Sequence, residues 1–71
     1  MLVCQKSECL VLRTNDVSEG GISFDVLNRQ LPQTFAVGKF VRTRAESDSE
    51  ATATIGEIVR LNDQEMAIKF V

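Results

Sequence analysis

Alternation of apolar and polar residues is the main structural signal in this chain. Apolar residues at every second position over 22–26 and over 66–70 form the pattern of strands with one buried face. A continuous apolar run at residues 9–12 predicts a buried strand, and residues 39–45 and 51–61 are predicted as two further strands. Helical periodicity is nearly absent, so the pattern indicates an all-β protein.

Turn-forming residues separate these strands. Predicted turns and loops lie at residues 15–16, 20–21, 28–33, 38, 46–50 and 62–64. Gly56 interrupts the longest strand, where it is expected to mark a bulge or a barrel corner. Five strands, or six if residues 2–5 also form one, joined by short turns favour a small antiparallel β-barrel.

Length and composition limit the possible functions. A chain of 71 residues with 44% hydrophobic residues is expected to form one domain over residues 1–71. It contains no apolar run of the roughly 18 residues needed to span a bilayer, and residues 1–6 do not resemble a signal peptide. We therefore expect a cytoplasmic protein with no membrane span. A net charge of -2 and the absence of Trp and Tyr argue against binding to DNA or RNA.

The sequence contains few of the residues that metal sites and enzyme active sites require. Cys4 and Cys9 are the only cysteines and there is no His, so the chain alone cannot complete a structural zinc site. The preferred interpretation is two reduced thiols, with Cys9 in an apolar strand, and a disulfide is the alternative. Ser18 has no base at a recognisable spacing, and the acidic segment 46–50 lacks the pattern of a calcium loop. We predict neither an enzyme nor a metal or cofactor.

One segment carries candidate chemistry, namely Asp16-Val17-Ser18-Glu19-Gly20-Gly21 between two predicted strands. The side chains of Asp16 and Ser18 can bond nearby backbone amides and stabilise a tight turn, or they can offer hydrogen-bonding atoms to a purine edge. Consecutive glycines permit positive φ and also leave room for another backbone or a flat ligand. Composition alone favours a plain β-turn over a ligand site.

This segment resembles the Asp/Asn-x-Ser-x-x-Gly motif of the PilZ family, with Asp16, Ser18 and Gly21 at the matching positions. The resemblance extends over roughly residues 9–71 and includes short strand signatures at 21–24, 37–41, 56–60 and 67–70. It implies a PilZ-like barrel that acts as a regulatory module in bacterial signalling. In typical members the motif meets a guanine base of the second messenger cyclic di-GMP.

The sequence departs from the family at its second motif, an Arg-x-x-x-Arg pair that clamps the ligand's phosphates and is absent here. Under the receptor hypothesis another arginine replaces the clamp, and the candidates are Arg13, Arg42, Arg44 and Arg60. The predicted ligand-binding residues are Asp16, Ser18, Gly20, Gly21, Arg13 and Arg60. The alternative is a degenerate PilZ domain that binds a protein partner without nucleotide.

The family also has a C-terminal helix that packs on the barrel in many members, and this sequence ends before it. Apolar barrel surface that is left uncovered favours contact with other molecules. We therefore expect a homo-oligomer or a complex with a protein partner.

Overall fold

A computed structural model of the chain describes residues 1–6, 8–45 and 53–71. Within these ranges the protein is all-β, as predicted, and its strands form a single curled sheet in which each paired strand runs antiparallel to its neighbour. The strands are β1 (Leu2–Gln5), β2 (Glu8–Val11), β3 (Arg13–Val17), β4 (Gly21–Asp25), β5 (Phe40–Arg44), β6 (Thr54–Leu61) and β7 (Glu65–Phe70). The described residues thus contain seven strands where five or six were expected. The predicted acidic hairpin tip at 46–50 lies outside the described residues.

The sheet curls because its two edge strands are joined by a single residue. The strand order is β2-β1-β5-β6-β7-β4-β3, yet only Leu12 separates β2 from β3 in the chain. Leu12 is buried, its backbone N–H donates to the Met1 carbonyl at 3.0 Å, and its own carbonyl accepts from the Met1 amino group at 2.9 Å. One bent segment therefore contributes the strands at both edges, which explains the extra strand and gives the sheet its barrel-like curvature.

A bulge in β3 corrects the prediction of a turn at residues 15–16. Both residues belong to the strand, and the register of β3 against β4 shifts between Thr14 and Asp16. The extra residue places Arg13 opposite Asp25 and Asp16 opposite Ser23. Asp25 and Ser23 share one face of β4, so their partners Arg13 and Asp16 also share a face, although they are three residues apart. Without the bulge they would lie on opposite faces.

A second bulge lies in β6, between Ile58 and Arg60 rather than at Gly56 as predicted. Gly56 is instead buried, and a Cβ added there would overlap the side chain of Ile68. Before the bulge, Gly56 and Ile58 face inward and Ile55 faces outward. After it the inward position changes parity, so that Leu61 packs against the core, three residues after Ile58. The absence of a side chain at Gly56 therefore allows β6 and β7 to pack closely.

The core fills the concave side of the sheet. The predicted alternation is confirmed in β4 and β7, where the apolar side chains at every second position face the core. Phe70, at the end of β7, is partly buried against it. Phe35, from the loop between β4 and β5, also packs into this core and is 3% exposed. The core residues are Val3, Leu12, Ile22, Phe24, Val26, Phe35, Val41, Ile58, Met66 and Ile68. By contrast, β2 is not the buried strand that was predicted, because Cys9 and Val11 are exposed.

The preferred interpretation of two reduced thiols is wrong for this structure, because Cys4 and Cys9 form a disulfide. The β1–β2 hairpin places them directly opposite each other. That juxtaposition depends on strand register, which a five-residue spacing alone does not reveal. Within the described ranges, no helix has the length and apolar character that a membrane-spanning helix requires.

Candidate ligand-binding site

Residues 18–20 form the hairpin connection between β3, which contains Asp16, and β4, which begins at Gly21. The Ser18 backbone N–H donates to the Gly21 carbonyl at 2.9 Å, and the Ser18 hydroxyl lies 3.4 Å from the same oxygen. The Gly20 carbonyl accepts from the Phe70 N–H at 2.8 Å, which ties the turn to β7. These bonds fix the turn against the strand that forms the neighbouring wall of the site.

The two glycines of this turn have different roles. Neither has a positive φ, so conformational freedom does not explain them. At Gly21 a Cβ would overlap the Ile68 carbonyl, whereas at Gly20 it would meet no atom within 4 Å. Gly21 therefore allows β4 to approach β7, and Gly20 leaves open space beside the turn.

An open depression of about 240 Å³ lies beside the turn on the outer face of the sheet, the face directed away from the core. Four of the six predicted ligand-binding residues line it, and β4 and β7 supply the rest of its surface. The lining residues are Asp16, Ser18, Gly20, Gly21, Ile22, Ser23, Ala67, Ile68 and Lys69. We refer to this depression as the turn site.

Strand register explains why the turn site is hollow. Asp16 lies opposite Ser23 on β4, Ser23 lies opposite Ala67 on β7, and Ala67 lies opposite Arg60 on β6. The two middle residues of this row have short side chains, and the outer two have long or charged ones. The row therefore leaves a trough over Ser23 and Ala67, with Asp16 at one end and Arg60 on the strand beyond the other.

The two predicted arginines do not line the turn site. Arg60 is engaged in an ion pair with Glu65. Arg13 lies opposite Asp25, which in turn lies opposite Glu65 on the next strand. Both arginines thus flank the site on its outer face, next to acidic residues, whereas Asp16, Ser18, Gly20 and Gly21 are brought together.

Lys69 is the cation that lines the site, and it is not among the residues predicted from the sequence. It is exposed, lies opposite Gly21 across the β4–β7 ladder, and makes no ion pair within the described part of the chain. The alternation of β7 could have shown that Lys69 faces outward. The pairing of β7 with β4, however, cannot be read from the spacing of either strand.

The chemistry of the turn site suits a polar, flat ligand that carries negative charge. Asp16 supplies a hydrogen-bond acceptor, Ser18 supplies both a donor and an acceptor, and Lys69 supplies a positive charge. The short side chains of Ser23 and Ala67 leave room for a ring to lie against the sheet. In residues 1–6, 8–45 and 53–71 there is no group of three or more Cys, Asp or Glu side chains placed to hold a metal ion.

Comparison of the chain with models of known protein families, with curated proteins and with solved structures found no match.

Proposed function

We propose that this chain is a PilZ-like regulatory module that binds cyclic di-GMP at the turn site. The observation that carries the proposal is the convergence of Asp16, Ser18 and Lys69 on one open depression with a floor of short side chains. The resemblance of the turn to the Asp/Asn-x-Ser-x-x-Gly motif supplies the ligand class.

Each group has a role in the proposed complex. The Asp16 carboxylate accepts hydrogen bonds from the N–H groups of a guanine edge, and the Ser18 hydroxyl bonds a further polar atom of the base. The base lies over Ser23 and Ala67. Lys69 faces one of the ligand's phosphates as a point charge.

The positions of the arginines predict weaker binding than a complete clamp would give. Arg60 reaches a phosphate only by leaving Glu65, and Arg13 lies beside Asp25. Each lost charge-assisted hydrogen bond weakens binding by about 1.5–3 kcal/mol. The proposed affinity is therefore modest and strongly dependent on salt.

Cyclic di-GMP is an intracellular bacterial messenger, so a receptor of this type works in the cytoplasm. Its output would be a contact with a protein partner or a second copy of the chain.

A second candidate function is docking to a protein partner without nucleotide. Phe40 and Ile55 are 55% and 52% exposed and line a depression of about 370 Å³ on β1, β5 and β6. Arg42 lies opposite Ile55 at its edge. Exposed apolar side chains beside a positive charge suit a partner with an apolar, acidic surface.

Titration calorimetry with cyclic di-GMP separates the two candidates. The receptor proposal predicts measurable binding that weakens by about tenfold or more in Asp16→Ala and in Ser18→Ala, because each change removes a hydrogen bond to a partly desolvated base. Asp63→Ala, in the β6–β7 turn, is the matched control and should bind as the unmodified chain does. No binding by the unmodified chain would reject the receptor proposal and favour the docking function.

A further inference from the structure

The Cys4–Cys9 disulfide lies on the outer face of the sheet, away from the turn site. Cys9 is exposed and Cys4 is partly exposed, and their Cα atoms are 4.0 Å apart across the β1–β2 hairpin. The two cysteines line an open depression of about 280 Å³ together with Arg42, Arg44 and Ala53. Solvent therefore reaches this disulfide, in contrast to the buried crosslinks that stabilise many small domains.

Arg42 lies directly opposite Cys4 across the β1–β5 ladder and lines the same depression. β1 pairs with β2 on one side and with β5 on the other, so Cys4 has Cys9 as its neighbour on β2 and Arg42 as its neighbour on β5. The Arg42 guanidinium donates to the Lys6 carbonyl at 3.2 Å, which holds it near the hairpin turn. Glu8 directly precedes Cys9 in β2, so the two side chains leave the strand on opposite faces. The Glu8 carboxylate accepts a hydrogen bond from the Thr34 hydroxyl at 3.1 Å.

We propose that Cys4–Cys9 is a thiol-exchange site whose co-reactant is a small thiol carrying carboxylates. The sulfur of Cys9, the more exposed of the two residues, receives the attack, and the Cys4 sulfur leaves as a thiolate on the strand next to Arg42. Positive charge stabilises a leaving thiolate, and a better leaving group speeds exchange. The positive charge of Arg42 also attracts an anionic thiol, which selects it over a neutral one.

The exchange balances in two steps. A thiolate of the small molecule attacks Cys9 Sγ, a new S–S bond forms to that sulfur, and the Cys4–Cys9 bond breaks with its electron pair going to Cys4. A second thiolate then attacks the sulfur of the bound small molecule, releasing its disulfide and leaving Cys9 as a thiolate. Two small thiols are oxidised and one protein disulfide is reduced.

The test follows the folded, oxidised chain under native conditions. The chain is mixed with reduced glutathione or with neutral 2-mercaptoethanol, quenched with acid, and measured by intact mass and peptide mapping. We expect a mixed disulfide on Cys9, a rate proportional to thiol concentration, and a faster reaction with glutathione at equal thiolate concentration.

Variants distinguish the effect of Arg42 on the exchange rate from the effect of the overall charge of the protein. Arg42→Gln should lower the rate constant for glutathione by about threefold or more, because both the leaving thiolate and the incoming anion lose a positive neighbour. Arg42→Lys should retain most of the rate. Lys39→Gln removes an exposed charge that does not line this depression and should leave the rate unchanged.

Three results would overturn the proposal. They are a disulfide that stays oxidised in excess glutathione, an adduct found on Cys4 instead of Cys9, and a rate independent of thiol concentration. The last result would show that the hairpin must open before it reacts.

Discussion

A Cβ atom on Gly21 would overlap the backbone carbonyl oxygen of Ile68 on the neighbouring strand. The glycine at this motif position is therefore required by the close approach of β4 to β7, since its φ is not positive. The same approach forms the floor of the turn site. One contact thus connects the sequence motif, the sheet and the candidate ligand site.

Gly21→Ala should lower the free energy of unfolding by about 1–3 kcal/mol, because a backbone atom cannot move aside as a flexible side chain can. Gly20→Ala is the matched control, since open space surrounds that position, and we expect a change within about 0.5 kcal/mol. Urea denaturation of both variants measures the difference. Equal stabilities for the two variants would contradict the close approach of β4 and β7.

Leu27 offers an opportunity to stabilise the fold. It has φ of 52° and is 61% exposed, so a left-handed backbone is combined with little burial. Leu27→Asn should raise the free energy of unfolding by about 0.5–1 kcal/mol, because Asn tolerates this conformation better. Val37→Asn is the control, at 60% exposure without a positive φ. A gain of the same size in Val37→Asn would attribute the effect to surface polarity instead of backbone strain.

The disulfide should contribute to stability despite its exposure. It closes a short loop with a sequence separation of 5. Loop-closure entropy then predicts that reduction lowers the free energy of unfolding by about 2 kcal/mol. Urea denaturation with and without a phosphine reductant tests this value, and the Cys4→Ser, Cys9→Ser double variant should be insensitive to the reductant. An unchanged midpoint on reduction of the unmodified chain would show that hairpin contacts alone fix the strands.

Lys69 should matter more for ligand binding than either predicted arginine. Lys69→Gln is expected to weaken cyclic di-GMP binding by about fivefold or more, because it removes the cation that lines the turn site. Arg60→Gln should have a smaller effect, since Arg60 is already paired with Glu65. Calorimetry at low salt gives both values. A larger loss in Arg60→Gln would mean that this ion pair opens for the ligand.

The sequence predicts strands well where one face is regularly buried. The alternation in β4 and β7 correctly identified their inward residues, because period-two burial reflects the geometry of a single strand. It failed at 9–12 and 15–16, where the buried Leu12 joins two strands and a bulge keeps Asp16 in β3. Bulges and corners depend on neighbouring strands, so a single-strand pattern does not reveal them.

The candidate site was predicted in part for the same reason. Asp16, Ser18, Gly20 and Gly21 are close in the chain, and a hairpin turn necessarily brings them together. Lys69 joins them only through the pairing of β7 with β4, and Cys4 meets Cys9 only through the β1–β2 register. Long-range pairing is the information that the local pattern lacks.

The most direct test of the proposed function is a titration of the isotopically labelled chain with cyclic di-GMP, followed by amide chemical shifts. Binding at the turn site predicts saturable shifts concentrated in residues 16–23 and 67–69, with β1 and β2 little changed. No shifts at excess ligand, or shifts centred on β1 and β5 instead, would contradict the assignment of the turn site as the nucleotide-binding surface.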